Sequence, residues 1–194
     1  MKKLDGNHAI KTISIAVLSI VVIVIIIAIF IKIDEYKRSF FTIDVKFKTN
    51  DVVKLYNKLP VSDTIGKGYS GSGIEKGIIE YKEFTVTNPN NKKIKYEISV
   101  KRMYSTTKDM RSNYVNLYLT DENDKPVKGF DKKKIVSYYD LVSLNDDPGS
   151  RFLYSDYLDP GVSKTFILRS WVADTYILSN IEEGFGFDID VRLK

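Results

Sequence analysis

The sequence predicts an all-β fold, an antiparallel β-sandwich of about eight strands, carried behind one N-terminal transmembrane helix. Three observations predict it. Residues 12–31 form an uninterrupted, uncharged apolar run. Beyond it, apolar residues recur at every second position in several short segments, the period of a half-buried strand. Between those segments stand clusters of Gly, Pro, Asn and Asp, the residues that build turns. A barrel is the competing closure of the same strands.

The apolar run, TISIAVLSIVVIVIIIAIFI, contains 20 residues. At a rise of 1.5 Å per residue a helix of this length spans about 30 Å, the thickness of a bilayer's hydrocarbon core. It exceeds the usual core of a cleaved signal peptide, and no small-x-small site follows Ala28-Ile-Phe-Ile-Lys32. The reading is an uncleaved signal anchor that contacts the lipid bilayer through residues 12–31. Lys2, Lys3 and Lys11 precede it, and Lys32, Lys37 and Arg38 follow. Positive charge therefore votes only weakly for an inside N-terminus. The order of short basic tail, helix and strand-rich domain adds to that vote. The expected division is a short cytoplasmic tail at 1–11, the transmembrane helix at 12–31, a neck at 32–39 and an extracytoplasmic domain at 40–194.

Within that domain Phe41, Ile43, Val45 and Phe47 fall on one face of a first strand, with Thr42, Asp44, Lys46 and Lys48 on the other. Residues 78–87 make a second. A third carries Ile94, Tyr96, Ile98 and Val100 inward, with Lys95, Glu97, Ser99 and Lys101 facing away. A fourth spans Tyr114 to Thr120. Segments Ile135–Leu144, Arg151–Tyr154 and Thr165–Val172 follow. The last strand sets Phe185, Phe187, Ile189 and Val191 against Gly186, Asp188, Asp190 and Arg192. Residues 173–183 are expected to form a short helix. Val61–Gly77, rich in Gly and Ser around Tyr69, is expected to be a mobile surface loop.

Composition excludes several functions. The chain has no cysteine, which removes disulfides, thiolate metal sites and a thiol nucleophile. Its single histidine, His8, precedes the apolar run, so Ser-His-Asp and His-zinc chemistry have no histidine in the outer domain. The net charge is +5 overall. Residues 1–38 hold six basic and three acidic side chains, and 39–194 hold 24 and 22. A domain so near neutrality lacks the basic excess that nucleic-acid binding uses.

Four patterns invite a functional reading. Gly66-x-Gly68-x-x-Gly71 matches a dinucleotide fingerprint in letters, but no strand-to-helix unit surrounds it. Ser105-x-x-Lys108 matches an acyl-enzyme motif without its companions. Asp121, Glu122 and Asp124, then Asp146 and Asp147, then Asp156 and Asp159 could offer oxygens to calcium or a carboxylate pair to a hydrolase, but lack EF-hand spacing and sit where turns favour Asp. Trp171 with Tyr138, Tyr139, Tyr154 and Tyr157 could make a contact patch, although a lone Trp on such a strand more often fills a core. The expectation is no catalytic, cofactor-binding or metal-binding residue, and no cofactor.

The runs FTVTNPNNKKIKYEI, YLTDENDKPV and YLDPGVSKTFILRSWV, within residues 78–172, resemble the signal-anchored Ig-like or jelly-roll surface proteins of Gram-positive bacteria. The resemblance implies a location and an architecture. The lack of catalytic apparatus beside an anchor and a sandwich pattern adds the expectation of a single-pass protein of the cell membrane, N-terminus inside, whose domain contacts another protein or the cell envelope without catalysis. The alternatives are a structural subunit of an envelope or secretion assembly and a carboxylate- or metal-dependent hydrolase.

Overall fold

The alternating segments fold as strands. A computed structural model describes residues 17, 19–33, 41–73, 75–103, 108–131, 134–177 and 183–194. The chain divides into two compact units, Met1–Phe41 and Thr42–Lys194. In the first, residues 19–33 form helix α1, and its large apolar side chains are exposed all round. Among the described residues no helix is long and apolar enough to cross a membrane. Residues 12–16 and 18 of the expected span, the tail 1–11 and neck residues 34–39 lie outside the described residues. Lys32 and Ile33, expected in the neck, continue the helix.

The second unit is mostly β. In order it contains β1 (Asp44–Phe47), β2 (Val52–Lys54), helix α2 (Asp63–Gly68), β3 (Glu80–Thr87), β4 (Ile94–Met103), β5 (Lys108–Asp109), β6 (Val115–Asp121), β7 (Val136–Ser137), β8 (Ser150–Leu158), β9 (Ser163–Val172), β10 (Glu183–Gly184) and β11 (Gly186–Leu193). One antiparallel sheet has the order β1-β3-β9-β6-β7, and the other β2-β11-β4-β8. β5 and β10 add a short parallel pair. Among the described residues eleven strands thus replace the roughly eight expected. The surplus is in β2, β5 and β10, two or three residues each, too short to leave a periodic trace.

Both larger sheets line one core. Phe84, Val86, Phe166 and Leu168 come from the five-stranded sheet, and Tyr96, Ile98, Val100, Phe187 and Ile189 from the four-stranded sheet. Phe166 bridges them, its ring 6.2 Å from Tyr96 and 5.7 Å from Tyr154. Leaving aside β5 and β10, and β7 which returns to pair with β6, each successive strand crosses to the opposite sheet. In β11, Phe185, Phe187 and Ile189 are buried as the alternation requires, and Val191 is half-buried.

The structure corrects four local expectations. Val61–Gly77 is not a bare surface loop: it holds α2, Gly66 is buried, and Tyr69 is buried. Residues 173–177 form a bridge from Ala173 to Val61 followed by a turn, not a helix, and 178–182 lie outside the described residues. Ile135–Leu144 pairs only at Val136–Ser137 before a 3-10 turn at Tyr138–Asp140. Glu97 and Ser99 are buried although they face outward on β4. Arg192 and Lys194, ion-paired with both Glu97 and Asp146, cover Glu97.

Arg169 holds the outer coverings together. It is buried on β9, where Nε donates to the Tyr69 carbonyl at 2.6 Å and Nη1 to Thr120 Oγ1 at 3.1 Å. Nη2 pairs with Asp124, a residue at φ 60°, a conformation that Asp tolerates better than most side chains. Arg169→Ala is expected to leave two buried acceptors unmet, at about 1–3 kcal/mol each. Arg169→Lys, restoring one charged donor, should recover only part of that loss in denaturant midpoints.

Candidate functional site

The strand order leaves both sheets open on one side. β7 ends the five-stranded sheet and β8 the four-stranded sheet, and the two do not pair with each other. A groove of about 620 Å³ opens between them. Its walls are Val136 of β7, Phe152, Leu153 and Tyr154 of β8, and Phe130, Leu141 and Val142 from the intervening loops. Lys128, Asp131 and Asp140 give the rim both signs of charge. At the lip Val142 is 70% exposed, although it is large and apolar.

Local chemistry explains the groove's shape. A β-bulge leaves Leu153 without a partner on β4, since Ile98 pairs with Tyr154 and Ser99 with Phe152. Ser137 Oγ donates to Asp140 Oδ2 and accepts from the Asp140 N–H, capping the 3-10 turn that presents Leu141 and Val142. Phe152 N–H donates to the Val142 carbonyl, which pins that segment along the start of β8. Past residue 152 no strand among the described residues pairs with the outer side of β8. Tyr154 closes the inner end. Its hydroxyl donates to Asp156 Oδ2 at 3.0 Å, and Lys164 Nζ donates to the same oxygen at 2.7 Å. Burial, then the bond to Asp156 and its charge, push the Tyr154 phenol up to about 12, so it stays a neutral donor.

The residues singled out from sequence scatter. Gly66 lies inside α2 rather than before it, packed on Trp171, while Gly71 sits at φ 86° against the Tyr81 ring. No phosphate-binding turn results. Ser105 lies outside the described residues, and Lys108 is on β5, paired with Glu183 at 2.7 Å. His8 also lies outside them. Each acidic cluster is engaged by its own chain. Asp121 Oδ1 accepts from the Asn123 and Lys125 N–H groups, Asp147 from Lys101 and Ser150, and Asp159 pairs with Lys93. Among the described residues no three His, Cys, Asp or Glu side chains are placed to hold a metal ion.

The aromatic patch divides as well. Trp171 and Tyr138 are buried, the latter 4.8 Å from the Phe185 ring. Tyr139 and Tyr157 are exposed. Sequence reasoning missed the groove because its walls come from four separated segments. The one local signal was VSYYDLV, in which Tyr139 and Val142 are too apolar for an ordinary turn.

No protein-family model, no curated protein and no solved structure matches this chain.

Proposed function

We propose that this chain is a single-pass, membrane-anchored surface protein whose β-sandwich makes a non-catalytic contact with another protein or the cell envelope. The groove between β7 and β8 carries the reading. It joins an apolar floor to the outer side of β8 past residue 152, which has no partner strand among the described residues, and an extended segment that adds to a sheet edge uses both. Main-chain hydrogen bonds supply affinity there, and pockets for alternate side chains supply specificity. The path that crosses between sheets supports a jelly-roll order over an Ig-like one, because an Ig sheet places consecutive strands side by side.

The uncharged run 12–31 supports the anchor, as does a described helix that is apolar on every side, a pattern that water does not favour. The N-terminus lies inside and the domain outside. A structural subunit of an envelope assembly is the second reading, favoured by the same open edge of β8, which can join a neighbouring copy.

Two measurements test this. Protease added to intact cells should remove residues 42–194 and spare the anchor; protection until lysis would reverse the orientation. A photo-crosslinking residue at Val142 should give an adduct on intact cells, and one at Val162 in the β8–β9 turn should not. Adducts at both positions or at neither would remove the groove from the contact. An adduct of twice the chain's mass would select the assembly reading.

A further inference from the structure

A second hollow, of about 410 Å³, opens where the end of β4, the segment after β5 and the start of β8 meet. Arg102, Arg111 and Arg151 line it with Asp109, Met110, Ser112 and Tyr138. Three guanidinium groups against one carboxylate leave a surplus of two positive charges. The neighbouring acids do not supply the balance. Asp109 is taken by Arg102 at 3.0 Å, Asp147 by Lys101 at 3.0 Å, and Glu183 by Lys108 at 2.7 Å. Glu183 also feels the charge of Arg111, but its oxygens already serve Lys108 and the Tyr176 hydroxyl. Among the described residues, no salt bridge reaches Arg111 or Arg151.

Two of these guanidiniums are held in place without being used up. Arg102 stacks on the Phe185 ring, 3.3 Å from its centroid. Arg151 donates through Nη1 to the Leu141 carbonyl at 3.2 Å and to Ser143 Oγ at 2.6 Å, and among the described residues Nε and Nη2 have no acceptor. A planar fork fixed by its own protein loses little entropy when it grips an oxyanion, and guanidinium geometry matches phosphate in a two-point bond. Tyr138, buried beneath, supplies a rigid floor.

We propose that this hollow binds a phosphate-class anion, held by Arg111 and Arg151 with Arg102 and Ser112 beside them. The source is either free phosphate or the phosphodiester of a lipid headgroup or polymer. The proposal does not depend on the groove between β7 and β8.

The test is calorimetric titration of the full chain in neutral detergent, with inorganic phosphate and with glycerophosphoglycerol as a soluble diester. Saturable binding of either is expected, and the preferred probe identifies the source. The Arg111 side chain is exposed and has no hydrogen-bond or ion-pair partner among the described residues, so Arg111→Gln should keep the fold and weaken binding by about tenfold or more, as loss of a charged hydrogen bond does. Lys125→Gln, which removes a charge elsewhere, should not. Binding unchanged in Arg111→Gln, equal weakening in Lys125→Gln, or no saturable binding of either probe would overturn the assignment.

Discussion

Gly66→Ala is expected to be among the most damaging single-methyl changes in the protein. A Cβ at this position would lie 2.8 Å from Trp171 Cε3 and would overlap Cε2 and Cδ2. The indole has nowhere to go, because Trp171 is fully buried on β9 beneath α2. Either α2 lifts or the ring leaves its rotamer. Overpacking of this kind costs about 1–3 kcal/mol, and expelling a buried aromatic raises the loss toward about 3–5 kcal/mol. Gly68, two residues on in the same helix, is the control. A Cβ there meets nothing within 4 Å. Gly68→Ala should leave stability unchanged or raise it by about 0.4–1 kcal/mol, since it restricts the unfolded chain. Trp171 is the only tryptophan, so its fluorescence reports the packing directly in a denaturant titration. Equal effects of the two substitutions would mean that α2 does not sit on Trp171, and that residues 61–77 are the loop their composition suggests.

That contrast shows what the sequence carried and what it did not. Period-two patterning reports which side of a strand meets the core when the other side meets water. It therefore found β1, β4 and β11, where Lys46, Lys95 and Asp190 are exposed between apolar neighbours. It blurs on β9, whose residues Phe166–Val172 are buried on both faces. Inward lie Phe166 and Leu168. Outward lie Arg169, beneath Tyr69 and Asp124, and Trp171, beneath Gly66. Coverings of that sort come from distant segments, and alternation has no term for them. For the same reason Glu97 reads as a solvent residue and is instead sealed by Arg192 and Lys194 from the far end of the chain.

The candidate sites were less legible than the strands. The groove needs Phe130, Val136, Val142 and Phe152 side by side, and the arginine hollow needs Arg102, Arg111 and Arg151 together. Each of these residues is unremarkable in its own stretch. What brings them together is the strand order, since β4 and β8 are neighbours in one sheet while β6 and β7 close the other. The letter motifs that did stand out, Gly66-x-Gly68-x-x-Gly71 above all, record packing demands rather than chemistry.

The second large effect is expected at β11. Ile189 is 3% exposed and pairs with Val100 at the centre of the four-stranded sheet. Ile189→Asp removes about 1.5–3 kcal/mol of side-chain burial and adds the cost of dehydrating a carboxylate with no cation beside it. The total is expected to exceed about 4 kcal/mol, a large share of the 5–15 kcal/mol typical of a domain. The adjacent Asp188 should behave in the opposite way. Burial, and then the charge of Asp51, hold its carboxyl above the usual range. A raised folded-state value means that the folded chain keeps its proton longer than the unfolded chain does. Stability from this group is therefore present below the ordinary carboxylate range and is lost as pH rises through the shifted value. Asp188→Asn removes that loss, so the variant should match or slightly exceed the parent at pH 7, within about 0.5 kcal/mol. The gap between the two should close as pH falls toward 3, where Asp188 is protonated in both states. Denaturant midpoints for both variants, measured across that range, decide the point. A damaging Asp188→Asn beside a tolerated Ile189→Asp would invert the register of β11 and with it the assignment of Phe185, Phe187 and Ile189 to the core.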